Sequence, residues 1–236
     1  MKNLITSVFA VLMICVALTA ICQPVQNSGE DEFEPGTLNG ALNVSESGAA
    51  VYTIPLDLPP GRAGMTPGLG LVYNSQQGGN VLGKGWGLSG FSSITRTNPT
   101  VYYKGEADNI DFANDQLVLD GQKLIKVGED EYILENDPST TIEEIWDPEF
   151  YDYFIVRSGD GIVKEYGFTE DSRQEFSYEG QDACPLIWHI NKVIDPQGNT
   201  ILYEYTKNIE EGELHPLKIV YTGYEESGNM VQEGFY

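Results

Sequence analysis

Apolar positions along this chain fall into short runs cut by glycine, proline and asparagine, and no stretch keeps a sustained helical period. Between Gly40 and Arg96 three such runs, Val51–Leu58, Gly70–Tyr73 and Phe91–Ile94, alternate with turn-rich segments. Pro59-Pro60-Gly61 and Pro67-Gly68 fix sharp reversals there, because proline presets φ and glycine accepts positive φ. No helix start signal occurs in the segment. The pattern predicts tight β-turns joining short strands.

The same alternation continues downstream. Asp120-Gly121 between Gln116–Leu119 and Gln122–Val127 is a two-residue hairpin signal. Gly128–Glu131 marks a looser hairpin leading into Tyr132–Leu134. Phe154–Arg157 and Ile162–Phe168 flank Ser158–Gly161, and Ile187–Ile194 and Thr200–Tyr205 flank Asp195–Asn199. Leu217–Tyr221 reads as a further strand and Glu225–Asn229 as a turn. The last two hairpins repeat a motif. Gly161 is followed by Tyr166 and Phe168, and Gly198 at the same spacing by Tyr203 and Tyr205. Period-two aromatics place both rings on one strand face, where cross-strand pairing stabilises a hairpin. The one helical candidate is the short stretch Ser139–Trp146, with Ser139, Glu143 and Glu144 as capping residues. Acids crowd from Glu129 to Asp152, around Trp146, Phe150, Tyr151 and Tyr153, and predict a protruding loop region. The fold class is therefore all-β, antiparallel and turn-rich, with at most one short helix.

Composition narrows the setting. Lys2 precedes an uncharged apolar stretch from Leu4 to Cys22, which reads as a signal peptide over residues 1–22 with cleavage before Gln23. An uncleaved anchor is the alternative. A lipoprotein acylated at Cys22 is a third reading, and Ile21 is the wrong residue before such a cysteine. Residues 23–37 are polar and acidic and predict a flexible leader, with one β domain over 38–236 and repeat-like hairpins from about residue 154. The formal net charge of −23 repels nucleic-acid phosphates and anionic headgroups, which argues against a nucleic-acid partner and against membrane insertion of the mature domain. Removal of Cys15 and Cys22 with the signal peptide leaves Cys184 alone, read as a small buried hydrophobe.

No residue set points to catalysis. Gly85–Gly90 formally matches the dinucleotide glycine pattern but runs into Phe91-Ser92-Ser93-Ile94, with no helix to hold a pyrophosphate. It predicts instead a glycine-rich turn, with Trp86 buried and Gly85 and Gly87 in conformations poorly open to other residues. Ser89 lacks the nucleophile-elbow spacing. His189, between Trp188 and Ile190, reads as a hydrogen-bonded sheet histidine, and His215 is the only other histidine. Asp108, Asp111, Asp115 and Asp120 offer oxygens for Ca²⁺ without a Ca²⁺-loop pattern, and edge charges explain them equally well. Glu129-Asp130-Glu131 has an acid-x-acid pair without the partners a transferase needs. No cofactor is expected.

The ordered motifs Gly40–Ala50, Tyr52–Gly61, Pro67–Ser75 and Leu82–Gly90 resemble the N-terminal domain of the SpvB (Salmonella virulence plasmid B) family, shared with the B components of insecticidal Tc toxins. The residues that carry the resemblance include Pro59, Pro60, Gly61, Tyr73, Asn74, Ser75, Gly83, Gly85, Trp86 and Gly87. The Gly161/Tyr166 and Gly198/Tyr203 pairs resemble Rhs/YD repeats. A weaker likeness continues through Gln116–Leu124 and Trp188–Tyr205. The resemblance implies a secreted, non-enzymatic scaffold: part of a β-shell that encloses or helps deliver a toxin cargo, with that cargo or another toxin-complex subunit as partner. In the family this region precedes repeats and, in some members, a toxic enzyme. No such effector is recognisable before Tyr236, as expected of a fragment, a degenerate copy or a stand-alone module. A carbohydrate- or protein-binding β module is the competing reading, since fourteen tyrosines would suit sugar stacking if exposed.

Overall fold

The computed structural model describes residues 39–45, 47–79, 82–97, 115–148, 151–176, 184–208, 213–226, 228–232 and 234. The expected signal peptide and leader, together with Asp108, Asp111 and Phe150, lie outside the described residues. The fold is all-β, and among the described residues the helical turns are two three-residue 3₁₀ segments, Arg62–Gly64 and Glu170–Ser172. Among the described residues no helix is long and apolar enough to cross a membrane.

Strands β1 (Ala41–Val44), β2 (Ala50–Pro55), β3 (Gly70–Asn74) and β4 (Trp86–Ser89) form a four-stranded antiparallel sheet in that order. The expected Val51–Leu58 run ends early as a strand, at Pro55, with one further hydrogen bond from the Leu56 N–H to the Leu69 carbonyl at 3.0 Å. The segment read as a glycine-rich turn is itself strand β4, which pairs Gly87 with Val72 and Trp86 with Tyr73.

The meander that follows is β5 (Ser93–Thr97), β6 (Gln116–Leu119), β7 (Gln122–Lys126), β8 (Glu131–Leu134), β9 (Thr141–Asp147), β10 (Tyr151–Arg157) and β11 (Val163–Tyr166). Asp120 (φ 50°) and Gly121 (φ 82°) close β6 on β7 with the two positive φ values of a type I′ turn. Two expectations fail in this stretch. Ser139–Trp146 is not helical, because Asp137 accepts hydrogen bonds from the Ser139 N–H and from both hydroxyls of Ser139 and Thr140, which makes a turn instead of a helix cap. The β-branched run beyond it then becomes β9, with Ile142 buried. The acidic stretch up to Asp152 is likewise not a protruding loop. Its described residues form β8, β9 and the start of β10; Glu131 and Glu143 are exposed, while Glu144, which accepts from the Tyr132 hydroxyl at 2.7 Å, and Asp152 are half-buried.

Strand β13 (Cys184–Ile194) closes the meander. It pairs with β5 through Ile187–His189 and with β11 through Ile190–Ile194, so that β5 to β11 and β13 make a closed eight-stranded antiparallel barrel. Strand β12 (Arg173–Phe176) pairs with the first half of β13. Strand β14 (Asn199–Asn208) pairs with its second half and continues into β15 (Glu213–Glu226) and β16 (Asn229–Gln232). The sequence had suggested only Leu217–Tyr221 for β15.

An eight-stranded barrel is just wide enough to be filled by its own side chains. Here Trp188, Phe154, Ile94, Ile142, Leu117, Leu124 and Val156 belong to one buried cluster. Trp188 is fully buried, meets Phe154 edge-to-face at 5.0 Å, and donates its indole N–H to the Asp152 carbonyl at 2.8 Å. Gly167 (φ 74°) packs so closely that a Cβ there would overlap the Trp188 ring. Trp188→Ala is therefore expected to destabilise the domain by about 4 kcal/mol, measured as a shift in denaturant midpoint. A second site of energetic interest is Thr222, a β-branched residue at φ 69°. Thr222→Gly should relieve about 1 kcal/mol of strain and raise the thermal midpoint.

Candidate functional site

The sequence-selected residues gather at two places. The first is the four-stranded sheet. Its rungs bring Leu42, Tyr52, Tyr73 and Trp86 into one cross-strand row. Trp86 rests on Tyr73 at 5.4 Å with the rings tilted by 53°, but it is half-buried rather than buried. The physical reason is that this ring lies along the surface of the sheet instead of between layers, on the same strand face as Leu88, which is exposed. Gly85 does need its glycine: φ is 81° and a Cβ would sit 2.6 Å from the Tyr73 ring. Gly87 is a buried strand position without positive φ. Gly83 is exposed, with φ 102°. Asn74 and Ser75 hold the turn after β3: the Asn74 side chain accepts from the Gln76 N–H at 2.9 Å, and Ser75 Oγ accepts from the Ala50 N–H at 2.9 Å. Pro59-Pro60-Gly61 lies on the connection between β2 and β3, where the Pro59 carbonyl accepts from the Tyr221 hydroxyl at 3.1 Å.

The second place is the end of the barrel where the repeated turns meet. Ser158 and Asp195 each donate their N–H four residues ahead, to Ile162 and Asn199, while Gly161 and Gly198 donate back to Ser158 and Asp195. The two turns therefore have one hydrogen-bonding pattern, and both glycines have positive φ, 85° and 89°. They also stack: a Cβ on Gly161 would fall 2.8 Å from the Pro196 ring, and the Gly198 carbonyl accepts from the Glu225 N–H at 2.8 Å. The rings are placed less uniformly. Tyr203 and Tyr205 are both buried, as period two requires. Tyr166 is buried, but Gly167 bends the chain out of β11, and Phe168 packs on Tyr153 instead. Tyr166 shares a hydrogen bond with Ser92 at 2.9 Å, and Ser92 donates to Asp120 at 2.6 Å.

The chemically suggestive residues are occupied structurally. The Asp120 carboxylate accepts from Ser92 Oγ and the Ser93 N–H, and Asp115 is half-buried ahead of β6. Ser89 is in β4 and Glu131 opens β8. Cys184 is half-buried at the start of β13, opposite Phe176, rather than buried. Among the described residues no group of three or more His, Cys, Asp or Glu side chains is placed to hold a metal ion. Two residues with a structural role carried no sequence signal. Arg173 is buried and donates to the Gly167 carbonyl at 2.8 Å. Asn191 is the extra residue of the bulge between β11 and β13; its side chain donates to Glu165 and accepts from the Phe168 N–H.

His189 departs from its expected state. It packs on Tyr205 at 5.3 Å, but its Nε2 is buried and has no hydrogen-bond partner among the described residues. Burial pushes its pKa down to about 4. A histidine whose folded pKa lies below the unfolded value of about 6.5 leaves stability intact at neutral pH and lowers it as pH falls from about 6.5 towards 4. The loss should be on the order of 3 kcal/mol. Urea titrations at pH 7.0 and pH 4.5 should show it, and His189→Leu should flatten that part of the pH dependence.

Comparison with known proteins agrees with this architecture. The family described as Salmonella virulence plasmid 65kDa B protein, SpvB, matches residues 44–226. Among curated protein sequences none matches the chain. Several solved structures share the fold. The TcdB2-TccC3 crystal structure superposes with a TM-score of 0.63 at 19% identity over 82% of this chain, and the Photorhabdus luminescens Tc holotoxin pore with 0.64 at 19% over 87%. The N-terminal domain of the effector protein SpvB from Salmonella typhimurium strain LT2 gives 0.56 at 18% over 75%. The match spans 11% of each of those two toxin chains and 65% of the Salmonella domain. With a family match running from the first strand to the end of β15, over a fold shared with toxin components, the chain belongs to the SpvB family.

Proposed function

We propose that this protein is a secreted, non-enzymatic scaffold domain of an SpvB/Tc-B/Rhs-type toxin, forming part of a β-shell that encloses or helps deliver a cargo. The observation that carries this reading is a barrel filled by Trp188, Phe154 and their neighbours and continued outward by the long β14–β15 ladder, in a chain of the SpvB family. A filled barrel has no interior for substrate, whereas an extended antiparallel ladder is a surface onto which further hairpins add. The stacked turns at Gly161 and Gly198 are the device such addition would repeat. Its partner would be a toxin cargo or another toxin-complex subunit; the matched solved structures include complexes of TcdB2 with TccC3.

The inward placement of Trp188, Tyr166, Tyr203 and Tyr205 favours a shell over a glycan-binding module. Trp146, 72% exposed on β9, is the residue on which a binding module would rely.

Secretion from a native host should yield a protein beginning at Gln23, read by N-terminal sequencing of the culture supernatant. Purified Gln23–Tyr236 should show no turnover in ADP-ribosyl-transfer or glycan-hydrolysis assays, and no hits on a glycan array. Turnover abolished by replacing one acidic residue would overturn the scaffold reading. A glycan hit lost in Trp146→Ala would replace it with the binding module.

A further inference from the structure

Strand β14 has two faces. Ile201, Tyr203 and Tyr205 enter the core, while Thr200, Leu202 and Glu204 line the opposite face. On that face, with Lys218 and Val220 of β15 and Met230 of β16, they enclose a groove of about 440 Å³. Its floor is aliphatic, and one end carries the Lys218–Glu204 ion pair at 3.1 Å. At the other end is Thr200, 1% exposed, whose Oγ1 has no hydrogen-bond partner among the described residues.

Two unfavourable features coincide there. A hydroxyl withdrawn from water without a partner opposes folding. So does a β-branched residue at positive φ, and Thr222, at φ 69°, is the extra residue of the bulge between the Thr200–Gly223 and Ile201–Tyr221 rungs. Both lie beside the groove, whose strands are interrupted again by a bulge between the Glu204 and Tyr205 rungs. Local strain and an unmet hydrogen bond at a concave surface mark a place built for something other than the fold itself.

We propose that this groove binds an extended peptide carrying an aliphatic side chain beside a basic one. The Thr200 hydroxyl would donate to a backbone carbonyl of the peptide. Leu202, Val220 and Met230 would take its aliphatic side chain. The Glu204 carboxylate, 45% exposed, accepts a second cation at the open end, and the net charge of −23 selects against acidic ligands. Among the described residues no aromatic ring lines the groove, so these residues offer no platform on which a sugar would stack. This assignment is independent of the shell reading, since it needs only the geometry of β14 to β16.

The test is a methyl-detected NMR titration of the full mature chain with acetyl-Val-Lys-Leu-Thr-amide, and in parallel with the same peptide carrying Glu for Lys. The lysine peptide should shift the methyl signals of Thr200, Leu202, Val220 and Met230, and the glutamate peptide should bind at least about tenfold more weakly. Thr200→Val should weaken binding about five- to tenfold while leaving the thermal midpoint unchanged or higher, because it removes an unmet hydroxyl without changing shape. Val220→Trp should abolish binding by filling the groove. Absence of shifts at these methyls, equal binding of the two peptides, or binding that survives both substitutions would each overturn the proposal.

Discussion

The larger of the two sheets depends on β13 serving four neighbours at once. One edge of the strand takes β12 and then β11, and the other takes β5 and then β14. A backbone that uses both edges along most of its length leaves few N–H and C=O groups to be satisfied elsewhere, which is the condition for burying it. Its side chains can then be large and apolar on the inward face, and Trp188 is the largest. The bulge at Asn191 is the accommodation that lets one strand change partners midway, and the Asn191 side chain ties that irregularity to Glu165 and Phe168.

Closure of the barrel and outward growth of the sheet are two consequences of that sharing. Where β13 pairs with β5 the sheet curls onto itself and its interior fills. Where β13 pairs with β14 the sheet leaves the barrel and continues through β15 and β16, keeping Tyr203 and Tyr205 against the core on one face. The other face meets solvent and bears the groove at Thr200. The proposed scaffold role draws on both halves, and the proposed peptide site draws on the open half alone.

Polar chemistry in the described residues is directed mainly at holding turns. Asp120, Asp137 and Asp195 each accept hydrogen bonds that fix a reversal, and Asp120 also links its hairpin to Tyr166 through Ser92. His189 and Thr200, each with a buried polar atom without a partner among the described residues, are exceptions. His189 lies in the sheet with an unmet nitrogen, and its cost falls on the acid side of the stability curve.

The sequence by itself determined the reversals. Asp120-Gly121, Gly161 and Gly198 were legible because positive φ is a local demand that few residues meet, so the chemistry of a turn is written within four residues. It also determined the all-β class and the central part of most strands, through short runs of β-branched and aromatic residues. Tertiary structure alone decided which tryptophan is interior. Trp86, flanked by glycines, suggested burial but lies along a sheet surface, while Trp188 carried no local signal and fills the barrel. It also decided that Thr141–Asp147 is a strand following a turn at Ser139, because the neighbouring edges of β8 and β10 supply the hydrogen bonds that a helix would have made within itself. Pairing of β13 with β5 joins residues far apart in the chain, and no periodicity within either strand specifies that partner. The bulge at Thr222 and the groove beside it belong to the same class, since they exist only once β14 and β15 are in register.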